Sequence, residues 1–207
     1  MSLFITFEGG EGSGKSVQSR ALYRRLSQLA IPALLTHEPG GTLLGKKLSH
    51  QLKWVDSIDI SPLTELLLFN ASRSQLVTEV IRPSLENGMH VICDRYADST
   101  TAYQGYGRGL ALEIVKAIND TATQGLKPDL TVLLDMPVEA GLARKRGKSH
   151  DRFEQEEIVF HQRVREGYLR LTANDPQRWL IVDANQSKTK VEQIIWQRVS
   201  QLLSSKG

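Results

Sequence analysis

The sequence predicts an α/β fold with a mainly parallel sheet covered by helices on both faces. Three observations carry that expectation. Five short apolar runs, at 3–7, 33–36, 90–93, 130–134 and 179–182, are read as strands. Segments of helical periodicity separate them, and this alternation is the pattern of parallel strands joined by crossover helices. The first run leads directly into FEGGEGSGKS, residues 7–16, a glycine-dense loop that opens a helix. In such sheets ligands bind beyond the carboxyl ends of the strands, and each motif below lies at such an end.

The run at 3–7 precedes Gly9, four residues, then Gly14, Lys15 and Ser16, the P-loop spacing. Glycines let the backbone turn tightly with its N–H groups pointing inward, and the helix starting at Lys15 adds the positive end of its dipole. Lys15 supplies a mobile cation and Ser16 a hydroxyl for Mg²⁺. Gly9, Gly10, Glu11, Gly12, Ser13, Gly14, Lys15 and Ser16 are therefore the expected phosphate-binding loop. A helix over 15–29 follows, with Val17, Leu22, Leu26 and Leu29 at helical spacing.

After the second strand, THEPGGT at 36–42 makes a rigid turn able to approach a ligand, with Glu38 on it, or else a plain turn. A helix over 42–53 comes next. The helix over 61–82 opens with Ser61 as N-cap and Pro62 at its first position, and Pro83 is expected to end or kink it. Phe69 and Arg73 are neighbours on that helix: they can sandwich and hydrogen-bond a nucleobase, or Phe69 is core and Arg73 is solvated. Spacing alone favours the second reading.

The third strand ends in Asp94-Arg95-Tyr96. Asp94 can hold Mg²⁺ and Arg95 can fork onto a phosphate, or the two form a structural ion pair. Ser99, Thr100, Tyr103 and Gln104 follow, and Ser99 and Tyr103 share a face if this stretch is helical. Helices are expected over 110–123, 137–145, 154–173 and 188–204. Between two of them lies RKRGKSHDRFE, residues 144–154, broken by Gly147 and read as a basic loop that closes over a polyphosphate, or as a solvated helix end. The helix after it presents Phe160, Val164, Tyr168 and Leu171 as a buried stripe, continuing from Phe153.

A chain of 207 residues suffices for one core, and no composition shift divides it, so a single domain over 1–207 with a mobile insert is expected. The 26 Lys and Arg exceed the 23 Asp and Glu by three, but five of the former and one of the latter lie in 144–152, leaving 21 against 22 elsewhere. The basic excess is local and lacks interleaved aromatics, which argues against nucleic-acid binding. The lone Cys93 lies in an apolar run and excludes an internal disulfide. No apolar stretch approaches the ~20 residues of a membrane span and no cleavage-like leader is present, so a soluble, cytoplasmic protein is expected. The N-K-x-D guanine motif and a glutamine after a D-x-x-G loop are both missing, which argues against a nucleotide-switch GTPase.

Taken together the motifs resemble the thymidylate kinase family. The resemblance rests on FEG-x-x-G-x-G-K-S at 7–16, T-x-EPGGT at 36–42, F-x-A-x-R at 69–73, DRY-x-x-S-x-x-AYQG at 94–105 and the arginine-bearing segment at 144–154. It implies the P-loop nucleoside-monophosphate-kinase fold, a five-stranded parallel sheet flanked by helices with a mobile lid at about 144–154, and phosphorylation of dTMP to dTDP by MgATP for dTTP synthesis. It implies that Arg73 and Arg95 hold the thymidylate phosphate and base edge, that Phe69 stacks on thymine and that Thr100 faces its N3 side. Tyr103 would leave no space for a 2′-hydroxyl, Glu11 would lie near the 3′-hydroxyl, and Ser99 and Gln104 would support the same pocket. The loop from Gly9 to Ser16 would bind ATP, and Lys15, Arg95 and Asp94 would serve the transfer, with Ser16 and Asp94 holding Mg²⁺. Because residues 10–13 offer no arginine, the lid would supply it through Arg146 or Arg152, which would be solvated while the lid is open. The family forms homodimers, which the resemblance extends to this chain. The chain departs from the family motif at His37, where arginine is usual, and no role is carried over to that position.

Overall fold

The computed structural model describes residues 2–54, 59–145 and 151–206. Strands β1 (Phe4–Glu8), β2 (Ala33–His37), β3 (His90–Asp94), β4 (Leu130–Asp135) and β5 (Trp179–Asp183) form one sheet in the order β2-β3-β1-β4-β5, with every pairing parallel. Each strand runs one residue past the end of its predicted run. The added residues, Glu8, His37, Asp94, Asp135 and Asp183, are polar, yet they stay in the ladder: His37 pairs with Asp94 and Asp135 with Asp183. Hydropathy ends a strand at its last apolar residue, whereas hydrogen bonding does not. The consequence is a row of polar side chains along the carboxyl edge.

β1 is the centre of the sheet and the point where the chain reverses direction across it. The chain first builds β2 and β3 on one side, then β4 and β5 on the other, so the crevice opens at the carboxyl end of β1. Leu3, Ile5 and Phe7 pack against Leu22 and Leu26 of α1 (Lys15–Gln28) and Val191, Ile195 and Val199 of α9 (Lys188–Lys206). On the opposite face Phe4, Val91 and Cys93 meet Leu76, Val77, Ile81 and Tyr96, while Leu133 joins Tyr103, Phe160, Val164 and Tyr168.

Between β2 and β3 lie α2 (Leu43–Trp54) and α3 (Pro62–Leu76), the latter capped by Ser61, whose hydroxyl oxygen accepts from the Thr64 N–H. Pro83 does not end this helix. The backbone widens into a π-helical turn at Val77–Ile81 and continues as α4 (Arg82–Glu86), with the Arg82 N–H reaching back five residues to Val77 O. The shifted register accommodates a residue that has no N–H to give to the preceding turn.

After β3, α5 (Ala97–Thr100) runs into a second π-helical stretch, Thr101–Gly107, then α6 (Leu112–Thr123). α7 (Val138–Ala143) follows β4 and ends before the predicted 145. The helix expected from 154 starts only at Ile158, as α8 (Ile158–Asn174). Asp151 explains the delay: its Oδ1 accepts from the Phe153 and Glu154 N–H groups at 3.0 and 3.1 Å, a local turn that competes with helix.

Candidate active site

The loop after β1 is closed by its own lysine. Lys15 opens α1, and its ammonium donates to Gly9 O at 3.0 Å, Gly10 O at 2.8 Å and Ser13 Oγ at 3.3 Å. Burial, then the Arg95 charge, lower its pKa from 10.5 to about 8. Gly12 has φ 70°, and a Cβ there would lie 2.0 Å from Gly141 O, so α7 packs backbone to backbone on the loop. Gly9, at φ 140°, would clash with Leu134 O. These two glycines are required by both conformation and contact.

Ser16 and Asp94 meet at the mouth of the loop, where the hydroxyl donates to the Asp94 carboxylate. Two hard oxygen donors side by side suit Mg²⁺, which binds through few protein groups and completes its shell with water and phosphate oxygens. Among the described residues no group of three or more His, Cys, Asp or Glu could hold a metal.

Arg95 does not pair with Asp94. It turns toward the P-loop, where NH2 lies 2.6 Å from Glu11 Oε1 and 3.1 Å from Tyr103 OH, and NH1 donates to Gly9 O and Ser99 Oγ, each at 3.3 Å. Tyr103 OH also donates to Glu11 Oε1 at 2.7 Å. Burial opposes ionisation of Glu11, but Arg95 and then Lys15 hold it well below the usual carboxylate range. Arg95 has φ 71°, a left-handed backbone for a non-glycine residue, which costs about 1–3 kcal/mol and gathers at functional sites.

Arg73 is buried, contrary to the solvated reading that spacing favoured. Its Nε and NH2 both lie 2.8 Å from Glu38 Oε2, NH1 donates to Asn70, Thr100 and Asn119, and NH2 to Tyr96 O. Helical periodicity cannot reveal this, because the neutralising acid comes from the loop after β2, 35 residues away. Glu38 Oε1 is buried with no hydrogen-bond partner. Half-buried Phe69 lies beside Phe153 at a centroid distance of 5.6 Å, and Gln104 donates to Glu65 Oε1 at 2.8 Å.

A cavity of about 1100 Å³ joins these groups. Glu11, Lys15, Ser16, Phe69, Arg73, Asp94, Arg95, Ser99, Thr100, Tyr103 and Gln104 all line it. The cavity is also lined by Arg144, from the basic segment, and by Ala184, Gln186 and Lys188, which no motif marked. His37, the departure from the motif, also lines it, with its Nε2 2.8 Å from where a Cβ on Gly40 would stand.

Of the two arginines that 144–154 was expected to supply to the transfer, Arg146 lies outside the described residues. Arg152 is not solvated: NH2 pairs with buried Glu65 Oε2 at 2.5 Å, Nε donates to Leu52 O, and its N–H donates to Lys53 O. Glu65 also holds Arg108 at 3.2 Å. Arg144, also in this segment, does reach the P-loop: its NH1 approaches Gly12 O at 3.5 Å while NH2 donates to Ala184 O at 3.1 Å. Lys145 pairs with Glu154 at 2.5 Å and stands 4.0 Å from Glu11. Sequence reasoning also missed Glu8, an acid at the buried end of an apolar strand, which is itself a readable signal.

The family model described as Thymidylate kinase matches residues 7–195. A thymidylate kinase of Dehalococcoides mccartyi is 58% identical over 203 residues, 98% of each chain. One from Roseiflexus castenholzii is 49% identical over 201 residues, covering 90% of this chain and 88% of its own. The crystal structure of thymidylate kinase from Ehrlichia chaffeensis superposes with a TM-score of 0.78 at 34% identity, over 96% of this chain and 98% of that one.

Proposed function

The chain belongs to the thymidylate kinase family, and we propose that it passes the γ-phosphoryl group of ATP in line to the phosphate of dTMP, giving dTDP and ADP in dTTP synthesis. The observation that carries this reading is that one cavity is lined both by Lys15 and the P-loop and by Arg95, Tyr103, Phe69 and Arg73. A donor phosphate and an acceptor phosphate would meet between Lys15 and Arg95.

The acceptor phosphate is already anionic, so no side-chain nucleophile is needed and the protein's task is positioning and charge neutralisation. Lys15 leaves the carbonyls of Gly9 and Gly10 for the donor's phosphate oxygens. Arg95 exchanges Glu11 for the acceptor phosphate, and Glu11 and Tyr103 are then free to face the sugar. Phe69, Arg73, Thr100 and Gln104 frame the base, with Ser99 behind Arg95. Mg²⁺, held by Ser16 and Asp94, would neutralise charge on the terminal phosphates of ATP.

Residues 1–207 form one domain in this reading, with 144–154 as its lid. Arg152 serves the transfer only by leaving Glu65, whereas Arg144 needs no such exchange. A buried free thiol at Cys93 suits the reducing cytoplasm, where we place the enzyme. No helix among the described residues is long and apolar enough to cross a membrane. Homodimerisation is supported by Leu63 and Leu67 of α3 and Leu112 and Ile114 of α6, which are exposed on helices that pack together.

ADP formation measured with dTMP, dUMP, UMP and dCMP as acceptors tests the assignment. Turnover is expected to be highest with dTMP and weakest with the ribonucleotide UMP. Equal turnover across the four would contradict it.

A further inference from the structure

Glu8 is the last residue of β1 and is fully buried, on the sheet face it shares with Phe4 and Thr6. A buried carboxylate is costly unless donors meet it. Three do. The Tyr96 N–H donates to Oε1 at 2.8 Å, and Ser99 Oγ at 2.6 Å and Tyr168 OH at 2.8 Å donate to Oε2.

These partners surround Arg95, which the reading above assigns to the acceptor phosphate. The Tyr96 N–H belongs to the peptide that follows Arg95, and the N–H of Arg95 itself donates to Phe7 O at 2.9 Å. Neighbouring residues of β1 therefore grip the chain on both sides of the φ 71° backbone at Arg95. Ser99 Oγ, which donates to Glu8, also accepts from Arg95 NH1 at 3.3 Å. Tyr168 comes from α8, sets its hydroxyl oxygen 3.0 Å from that of Ser99, and packs edge-on to Tyr103 at 6.4 Å. An apolar residue would fill this place in the core more cheaply; only an acceptor holds three donors arranged around one arginine.

We propose that Glu8, fixed by Tyr168, is a positioning residue that sets both the backbone and the guanidinium of Arg95 for the acceptor phosphate. It does not line the cavity, and it acts through Arg95. The inference rests on the assignment of Arg95 above.

Calorimetric titration of Glu8→Gln, Tyr168→Phe, Arg95→Ala and the Glu8→Gln/Arg95→Ala double variant with dTMP and with ATP tests it. Glutamine keeps the size and one acceptor oxygen but cannot accept from all three donors. Glu8→Gln is expected to weaken dTMP binding about tenfold and ATP binding by less than about twofold, with Tyr168→Phe, which leaves the Ser99 bond in place, showing the same selectivity at about threefold. Once Arg95 is alanine, Glu8→Gln should weaken dTMP no further. A loss shared equally between dTMP and ATP, or one that persists in full without Arg95, would reduce Glu8 to a structural acid and overturn the proposal. If Glu8→Gln does not fold, the selectivity of Tyr168→Phe decides the same question. Unchanged dTMP binding in Arg95→Ala would instead remove the assignment of Arg95, and the positioning role with it.

Discussion

Lys15 and Glu8 are opposite cases of a buried charge. The Lys15 ammonium satisfies itself on loop carbonyls that a nucleotide can replace, so it is stored in the position where it is needed. Lys15→Ala is expected to lower kcat by about 10³-fold with the cooperative unfolding transition retained, and turnover within tenfold of wild type would sink the P-loop assignment. Glu8 has no ligand to wait for. Burial, then the nearby Asp98 charge, raise its pKa from 4.5 to about 7. The folded chain then keeps a proton that the unfolded chain has released, so the stability from this group is full below about pH 4.5 and is lost as pH rises towards about 7. Denaturant unfolding of wild type and Glu8→Gln at about pH 5 and about pH 7.5 checks the sign: wild type should lose stability relative to the variant at the higher pH, and a constant difference would contradict the shift.

Elements were legible wherever local sequence controls them, and less so where a distant partner decides. The five strands, the P-loop and the Ser61 cap follow from apolar runs, glycine spacing and a hydroxyl before proline, all short-range signals. The π-helical stretch that carries Tyr103 and Gln104 was only conditionally helical in the sequence, because a widened turn has no periodicity of its own. The burial of Arg73 depends on Glu38, and the docking of Arg152 on Glu65, both from other elements. The stretch at 151–154 is thereby fastened to α2 and α3, while Arg144 leans on the P-loop. Arg144→Ala is expected to lower kcat by about 10²-fold with a smaller change in the KM for dTMP. Arg152→Ala should instead lower stability by about 1–2 kcal/mol, since Glu65 keeps Arg108 and Gln104. Kinetics and denaturant unfolding of both variants decide between them, and the reverse pattern would return the transfer role to Arg152.

At the scale of the whole molecule, two properties follow from the sheet order. The reversal at β1 gathers the P-loop, Asp94, Arg95 and the Phe69–Arg73 pair around one cavity and leaves faces of α3 and α6 that do not line it. Those faces expose Leu63, Leu67, Leu112 and Ile114, so Leu67→Glu is expected to convert a dimer of the chain to monomer in light scattering coupled to size exclusion. A wild-type protein already monomeric at micromolar concentration would rule the dimer out. The second property is the cavity that joins the donor and acceptor sides, and it makes transfer, rather than hydrolysis, the expected outcome. Quantifying ADP, dTDP and free phosphate in one reaction, with and without dTMP, tests this most directly. The account predicts ADP and dTDP formed in equal amounts only when dTMP is present, with little free phosphate; free phosphate matching ADP whether or not dTMP is added would contradict it.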